Sequence, residues 1–303
     1  MKTVYIFPGL NGLLRKADRL RFIDYPEVQS YFSRSERVLK NDFGMNVNLV
    51  EFLHSSTENI YAIENISLAA VAITATQCGV AEHLRQKLGT PDWVMGCSLG
   101  DLARAVFAKA YTFEDAIFNH VYFTQKIDGI DKIGGNIGVL AGKGKSFSDE
   151  DHLWFDSIEV DVSQLTPRFL NIGGRFEDLK KVEERARQRG WGVMQILNYP
   201  AHSRYIVPYV NKVEADMLRV RMLPPQTPMF SSFSVKPLTD CEEIKSEFIL
   251  SMTKTIHWHR AVTKLVQDHE VSRFINIGPC RSLSGLMKDI PVHVEMLESF
   301  NLV

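Results

Sequence analysis

Hydrophobic and polar positions follow two different textures along this chain. Val4-Tyr5-Ile6-Phe7 is a short β-branched and aromatic run closed by Pro8-Gly9, which predicts a buried strand ending in a turn. Apolar positions recur at helical spacing over 25–41 and 58–88. The second stretch is rich in alanine (Leu68, Ala69, Val71, Ala72, Ala75) and suits a closely packed central helix. Trp93-Val94-Met95-Gly96 predicts a second buried strand, which runs into Cys97-Ser98-Leu99-Gly100; residues 101–109 then resume helical composition without a Pro or Gly break. The unit reads as strand, sharp turn, helix.

After about residue 130 the elements shorten. The pattern predicts strand 136–142, a helix near 148–154, strands 156–163 and 168–173, helix 175–189 and strand 191–197. That βαββαβ order is the ferredoxin-like unit. Flanked by larger α/β texture, it reads as a small domain, 131–198, inserted into a large domain made of 1–130 and 199–303. The cleft between them is the expected ligand site. Beyond it, helix 203–218, strand 229–234, helices 241–252 and 258–269 and strand 274–277 return to α/β alternation. The expected fold class is therefore α/β.

Composition narrows the possible functions. With 303 residues, 45% of them hydrophobic and 23% charged, the chain is neither disordered, collagen-like nor a disulfide scaffold. Its 35 basic and 36 acidic side chains leave a net charge of -1, so no global attraction to nucleic acid or to an anionic membrane follows, and an anionic partner must be held locally. Cys78, Cys97, Cys241 and Cys280 form no CxxC pair, which points to free thiols and a cytoplasmic setting. The early Pro8-Gly9 turn leaves no room for a signal-peptide core, and no apolar run of about 18 residues is evident elsewhere.

Gly96-Cys97-Ser98-Leu99-Gly100 matches the GxSxG nucleophile elbow. A serine on a tight strand-to-helix turn is held in strained backbone, and neighbouring side chains would collide, hence the glycines. The same turn places the Leu99 amide at a helix N-terminus, where it can donate to a developing oxyanion. Such a serine needs a base. Among nine histidines, His202 follows Asn198-Tyr199-Pro200-Ala201 directly after a predicted strand, with the proline fixing the loop that presents the ring. His120, on a helix downstream of the elbow, is a weaker alternative. His257 and His259 flank Trp258 without a cysteine or acidic partner beside them, so no metal site is expected.

In order and spacing, Phe7-Pro8-Gly9, the elbow, Pro200-Ala201-His202 and Ile277-Gly278-Pro279 with Leu283 and Leu286 resemble malonyl-CoA:acyl carrier protein transacylases and polyketide synthase acyltransferase domains. The resemblance implies an α/β-hydrolase-like large domain with an inserted ferredoxin-like small domain, in agreement with the texture. It also implies ping-pong acyl transfer through a Ser98–His202 dyad. The acyl group would pass between CoA or phosphopantetheinyl carrier-protein thioesters in polyketide or fatty-acid biosynthesis, with no bound cofactor. The oxyanion would be held by the backbone amides of Leu99 and Leu10. Thr255-Ile256-His257-Trp258 looks like a loose version of the segment that follows the carbonyl orienting the histidine, which would make Lys254 the carbonyl donor.

The departures from the family pattern concern the acyl group. Malonyl-selective members carry an arginine 25 positions after the serine, and here that count reaches Phe123. Losing one partner of a buried ion pair costs roughly 3–5 kcal/mol, which disfavours malonyl, while a phenyl ring suits an uncharged chain. Lys126 lies one turn further on and lacks the planar fork. Cys97 stands where the family has histidine, and Leu10-Asn11 replaces Gln-Gly. The helix start at 66–76 lacks the usual glutamine. Phe123, Cys97, Tyr199 and Ala201 are the expected acyl-pocket residues. An intact Ser and His without the arginine is also similar to homologues that hydrolyse stalled acyl chains from carrier proteins, and a non-catalytic docking scaffold is a further alternative. Lys180, Lys181, Arg185, Arg187 and Arg189 read as a solvated helix face rather than a docking surface, given the interspersed Glu183 and Glu184.

Overall fold

The computed structural model describes residues 1–126, 129–217 and 221–302. In chain order its strands are β1 (Lys2–Phe7), β2 (Trp93–Gly96), β3 (Gly134–Leu140), β4 (Val160–Gln164), β5 (Phe169–Arg175), β6 (Gly192–Leu197), β7 (Met229–Phe230), β8 (Pro237–Leu238), β9 (Val271–Asn276) and β10 (Glu295–Glu298). They form two sheets. The larger has the order β10-β9-β1-β2-β7-β8 and is parallel apart from β8; the smaller is antiparallel with the order β4-β5-β3-β6. The chain leaves the larger sheet after β2 and re-enters it at β7. Helices Asp149–Asp156 and Phe176–Arg189 complete the βαββαβ unit between those points. The fold is α/β, with an α/β-hydrolase-like larger part and a ferredoxin-like smaller one.

The unbroken apolar run of β1 follows from its central place. Tyr5 and Phe7 pack into a core on one face of the sheet, whereas Val4 and Ile6 pack into a core on the other, as expected of a parallel strand covered on both sides. The alanine-rich helix Ile66–Leu88 is the spine of the first core. Gly79 lets the helix Pro26–Phe43 cross it closely, since a Cβ there would stand 2.6 Å from Val28 Cα. By length and composition the stretch Ile63–Leu88 could cross a bilayer, in contrast to the sequence reading, yet 78% of its apolar window is buried inside the protein.

Several expected elements are divided or shortened. The stretch 58–88 splits into Thr57–Ile60, the 3₁₀ turn Ile63–Asn65 and Ile66–Leu88. Asn65 Nδ2 takes the Asn59 carbonyl at 2.8 Å, a side-chain bond that competes with a continuous helix. The expected helix 203–218 becomes a 3₁₀ turn, Arg204–Ile206, and two single turns, Val207–Val210 and Glu214–Met217; its last residue lies outside the described residues. Pro208 is the second residue of the first of those turns, and having no amide hydrogen it cannot extend the 3₁₀ hydrogen-bond ladder before it. Of strand 229–234 only β7 forms. The Ser231 hydroxyl accepts from the Phe233 and Ser234 amides at 3.0 and 2.7 Å, which turns the chain away from the sheet. Helix Leu49–His54 and β10 had no counterpart in the pattern.

Candidate active site

β2 ends at Gly96, and the chain turns through Ser98 with φ +57° into the helix Gly100–Phe107. That left-handed backbone is costly for a residue other than glycine, and the surroundings leave it little alternative. The Cys97 amide donates to the Phe7 carbonyl at 3.0 Å, the Gly100 amide to the Cys97 carbonyl at 3.2 Å and the Asp101 amide to the Ser98 carbonyl at 2.9 Å. A Cβ on Gly100 would run into the Phe7 and Pro8 carbonyls, and one on Gly96 would stand 2.7 Å from Asp101 Cα. Both elbow glycines are sterically required. Gly9 is almost as constrained, since a Cβ there would lie 3.1 Å from the Cys97 carbonyl and 3.4 Å from Ser98 Cβ. Leu10 opens a 3₁₀ turn next to that glycine, so its amide, like that of Leu99 at the elbow helix's start, has no intrahelical acceptor. Gln77, fully buried, holds this loop by donating from Nε2 to the Pro8 carbonyl at 2.6 Å. The sequence reading passed over Gln77, although an amide side chain amid the buried alanine-rich stretch of the helix was the available signal.

His202 also sits in left-handed backbone, φ +56°. Its amide donates to the Met252 carbonyl at 3.2 Å, and Asn136 Nδ2 on β3 holds the preceding Ala201 carbonyl at 3.0 Å. The ring meets the elbow: His202 Nε2 and Ser98 Oγ are 2.7 Å apart. Phe233 lies against the ring with centroids 5.9 Å apart. Burial lowers the imidazole pKa to about 4, opposed by the backbone carbonyls of Ser251 and Lys254, which favour the protonated form. The expected Lys254 carbonyl thus faces the ring, together with a second from Ser251. Nδ1 makes no hydrogen bond of ordinary geometry with either. At neutral pH the ring is therefore uncharged and able to take a proton from Ser98.

Ser98 and His202 border a cavity of 540 Å³ whose wall includes Leu10, Leu99, Phe123, Tyr199 and Ala201. Cys97 differs from expectation. It does not line the cavity but packs with Val4, Ile6 and Met95 in the core on the other face of the sheet. Side chains alternate along a strand, so Cys97 follows Met95 and not Ser98, and burial drives its thiol pKa up. Lys126 is exposed, its Nζ 5.5 Å from the centre of the Tyr122 ring, and does not border the cavity. His120 does line it, but its Nε2 pairs with Thr74 Oγ1 at 2.8 Å instead of with Ser98. His257 stands at the N-cap of helix Trp258–His269 without a side-chain capping bond. No group of three or more potential metal-ligating side chains occurs among the described residues.

Beneath the elbow lies a buried charge cluster that the sequence reading did not single out. Arg104, 1% exposed, pairs with Asp101 at 2.9 Å and Glu247 at 3.1 Å and donates to the Phe230 carbonyl. Burial raises the Asp101 carboxyl pKa to about 7 against the pull of Arg104. On the ferredoxin-like part, Arg185 and Arg189 are paired with Glu150, and Lys181 with Asp178.

Comparison with known proteins finds relatives along most of the chain. The malonyl CoA-acyl carrier protein transacylase of Bacillus subtilis is 22% identical over 297 residues, covering 95% of this chain and 90% of the relative. A polyketide biosynthesis acyltransferase homolog, BaeD of Bacillus velezensis, is 21% identical over 82% of this chain and 75% of its own length. The fold is shared with a malonyl-transacylase solved in complex with a type II polyketide synthase acyl-carrier protein, with a TM-score of 0.85 and 19% identity over 99% of this chain and 98% of that one. The acyl transferase domain family model matches residues 20–291, a span that takes in the elbow, His202 and every cavity-lining residue but Leu10, so the chain belongs to the acyl transferase domain family.

Proposed function

We propose that the protein transfers an uncharged acyl group between thioesters of CoA or an acyl carrier protein, through an ester on Ser98. The observation that carries this reading is the 2.7 Å contact between Ser98 Oγ and His202 Nε2 at the edge of a largely apolar cavity. In the first half-reaction neutral His202 takes the Ser98 proton as Oγ attacks the thioester carbon, and the amides of Leu10 and Leu99 receive the oxyanion. Collapse breaks the C–S bond, and the imidazolium returns its proton to the departing thiolate. The second half-reaction runs in reverse, with a phosphopantetheine thiol as the nucleophile. Similarity to proteins named as carrier-protein transacylases supports an acyl carrier protein as partner. Division into 1–130 with 199–303 and 131–198 belongs to the same proposal, supported by the run of small-sheet strands from Gly134 to Leu197.

Phe123 in the cavity wall supports an acyl group without a carboxylate. A malonyl group would be desolvated there with no guanidinium to pair with it. The test is intact-protein mass spectrometry after mixing with acetyl, hexanoyl and malonyl thioesters. Wild type should gain one acyl mass, with malonyl the slowest, and Ser98→Ala should gain none. An adduct that persists on Ser98→Ala would refute the nucleophile, and the absence of any adduct or turnover on wild type would refute the enzyme.

A further inference from the structure

The cavity lining includes several polar side chains besides the Ser98–His202 pair, Thr124, Gln125, Asp131, Lys132 and Ser251 among them, and two stand buried on one turn of the helix Phe113–Lys126: Asn119 and His120, 2% and 7% exposed. Ile66, Ala70, Leu102, Ile206 and Phe248 line the same space. The partners of the two polar groups show which atoms remain available. Tyr111 Oη donates to the Asp115 carbonyl at 3.3 Å, so it meets Asn119 as an acceptor, and Asn119 Nδ2 is the donor. That fixes the amide's orientation and leaves Oδ1, which can only accept. His120 engages Thr74 Oγ1 through Nε2 at 2.8 Å, leaving Nδ1. Neither remaining atom is sealed in the core in the way that Asn136 Oδ1 and Asn276 Oδ1 are. The open space that Asn119 and His120 border is the cavity.

An acceptor and a ring nitrogen side by side define a ligand chemistry. In the tautomer that accepts the Thr74 hydroxyl proton at Nε2, the ring proton resides on Nδ1, and the two free atoms form an acceptor–donor pair. A hydroxyl satisfies both at once. A keto oxygen could satisfy only His120, and a carboxylate would face Asn119 Oδ1 as a like partial charge. We propose that the cavity selects acyl chains bearing a hydroxyl, which donates to Asn119 Oδ1 and accepts from His120 Nδ1. The proposal deepens the reading of this cavity as the acyl site and rests on it. A site built around such a pair discriminates against the analogue that leaves it unfilled.

The experiment is isothermal calorimetry of the wild-type protein with hexanoyl pantetheine amide and its 3-, 4-, 5- and 6-hydroxy isomers, which bind without reacting. At least one isomer should bind tenfold or more tighter than the hexanoyl parent, and in Asn119→Leu and His120→Phe that ratio should fall to near one. The proposal is overturned if no hydroxy isomer binds tighter than the parent, or if the preference survives both substitutions. Acylation by the corresponding thioesters is scored separately. A hydroxyl preference in binding without any Ser98 adduct would sink the transfer reading and leave this one standing.

Discussion

His202 and His120 border the same cavity. Both are buried, both are uncharged at neutral pH, and each meets a hydroxyl through Nε2 at nearly the same distance, 2.7 Å to Ser98 and 2.8 Å to Thr74. Their settings differ in backbone and in electrostatics. His202 is on a loop in left-handed conformation, opposite a serine held in the same conformation, with two backbone carbonyls facing the ring. His120 is inside a regular helix, its burial is not offset by any such carbonyl, and its hydroxyl partner lies within another helix. A short His–hydroxyl contact is therefore insufficient evidence of a nucleophile. What separates the two pairs is strained backbone at the attacking atom and compensation for the charge the base must acquire.

The largest expected effect tests that distinction directly. His202→Gln should slow acyl-enzyme formation by about a thousandfold, the scale of general-base catalysis, as read by rapid-quench mass spectrometry. A loss smaller than tenfold would mean that His202 is no more a base than His120. Next in size is the wall between them. Phe123→Arg supplies the planar fork that a buried carboxylate requires, so the malonyl-to-hexanoyl loading ratio should rise by about two orders of magnitude. An unchanged ratio would show that position 123 does not meet the acyl terminus.

These contrasts also mark what the sequence could disclose. The elbow was legible because Gly96 and Gly100 are demanded by backbone collisions, and such demands leave a short motif. His202 was legible through Pro200 and the strand before it. The side on which Cys97 lies was misread, because proximity in the chain to Ser98 was given more weight than strand alternation, which sends it with Met95 to the opposite face. Apart from the Asp101–Arg104 pair, three positions apart, the Arg104 cluster and the roles of Gln77, Asn119 and Thr74 depend on partners between 8 and 143 positions away, and no local pattern encodes them. Strand 229–234 failed for a comparable reason, since a serine side chain took the amides that the sheet would have used.

The pH profile gives a smaller, graded effect. A base must be neutral to work, and burial lowers the His202 pKa to about 4. Acylation kcat/KM should therefore hold steady from neutral pH to about pH 5 and fall roughly tenfold per unit below 4, instead of turning down near 6.5 as for an unperturbed imidazole. An acid limb at 6.5 would show that the ring is solvated in the working enzyme. Burial raises the Asp101 carboxyl above the ordinary carboxylate range, so a separate inflection at higher pH than that of His202 would belong to Asp101 beneath the elbow.

The smallest effect on rate is expected at Thr74. Thr74→Val keeps the volume of the side chain but removes the hydroxyl from His120 Nε2, which then stays buried without a partner. Such an orphan costs about 1–3 kcal/mol, so the melting temperature measured by calorimetry should drop by several degrees. Acyl-enzyme formation from hexanoyl thioester should change less than about threefold, since Thr74 touches neither Ser98 nor His202 in the way that general-base catalysis demands. A rate loss approaching that of His202→Gln would erase the distinction between the two histidines and make His120 part of the proton path. An unchanged melting temperature would sharpen the comparison in another direction: water entering the cavity would already satisfy His120, and the wall it stands in would be wet.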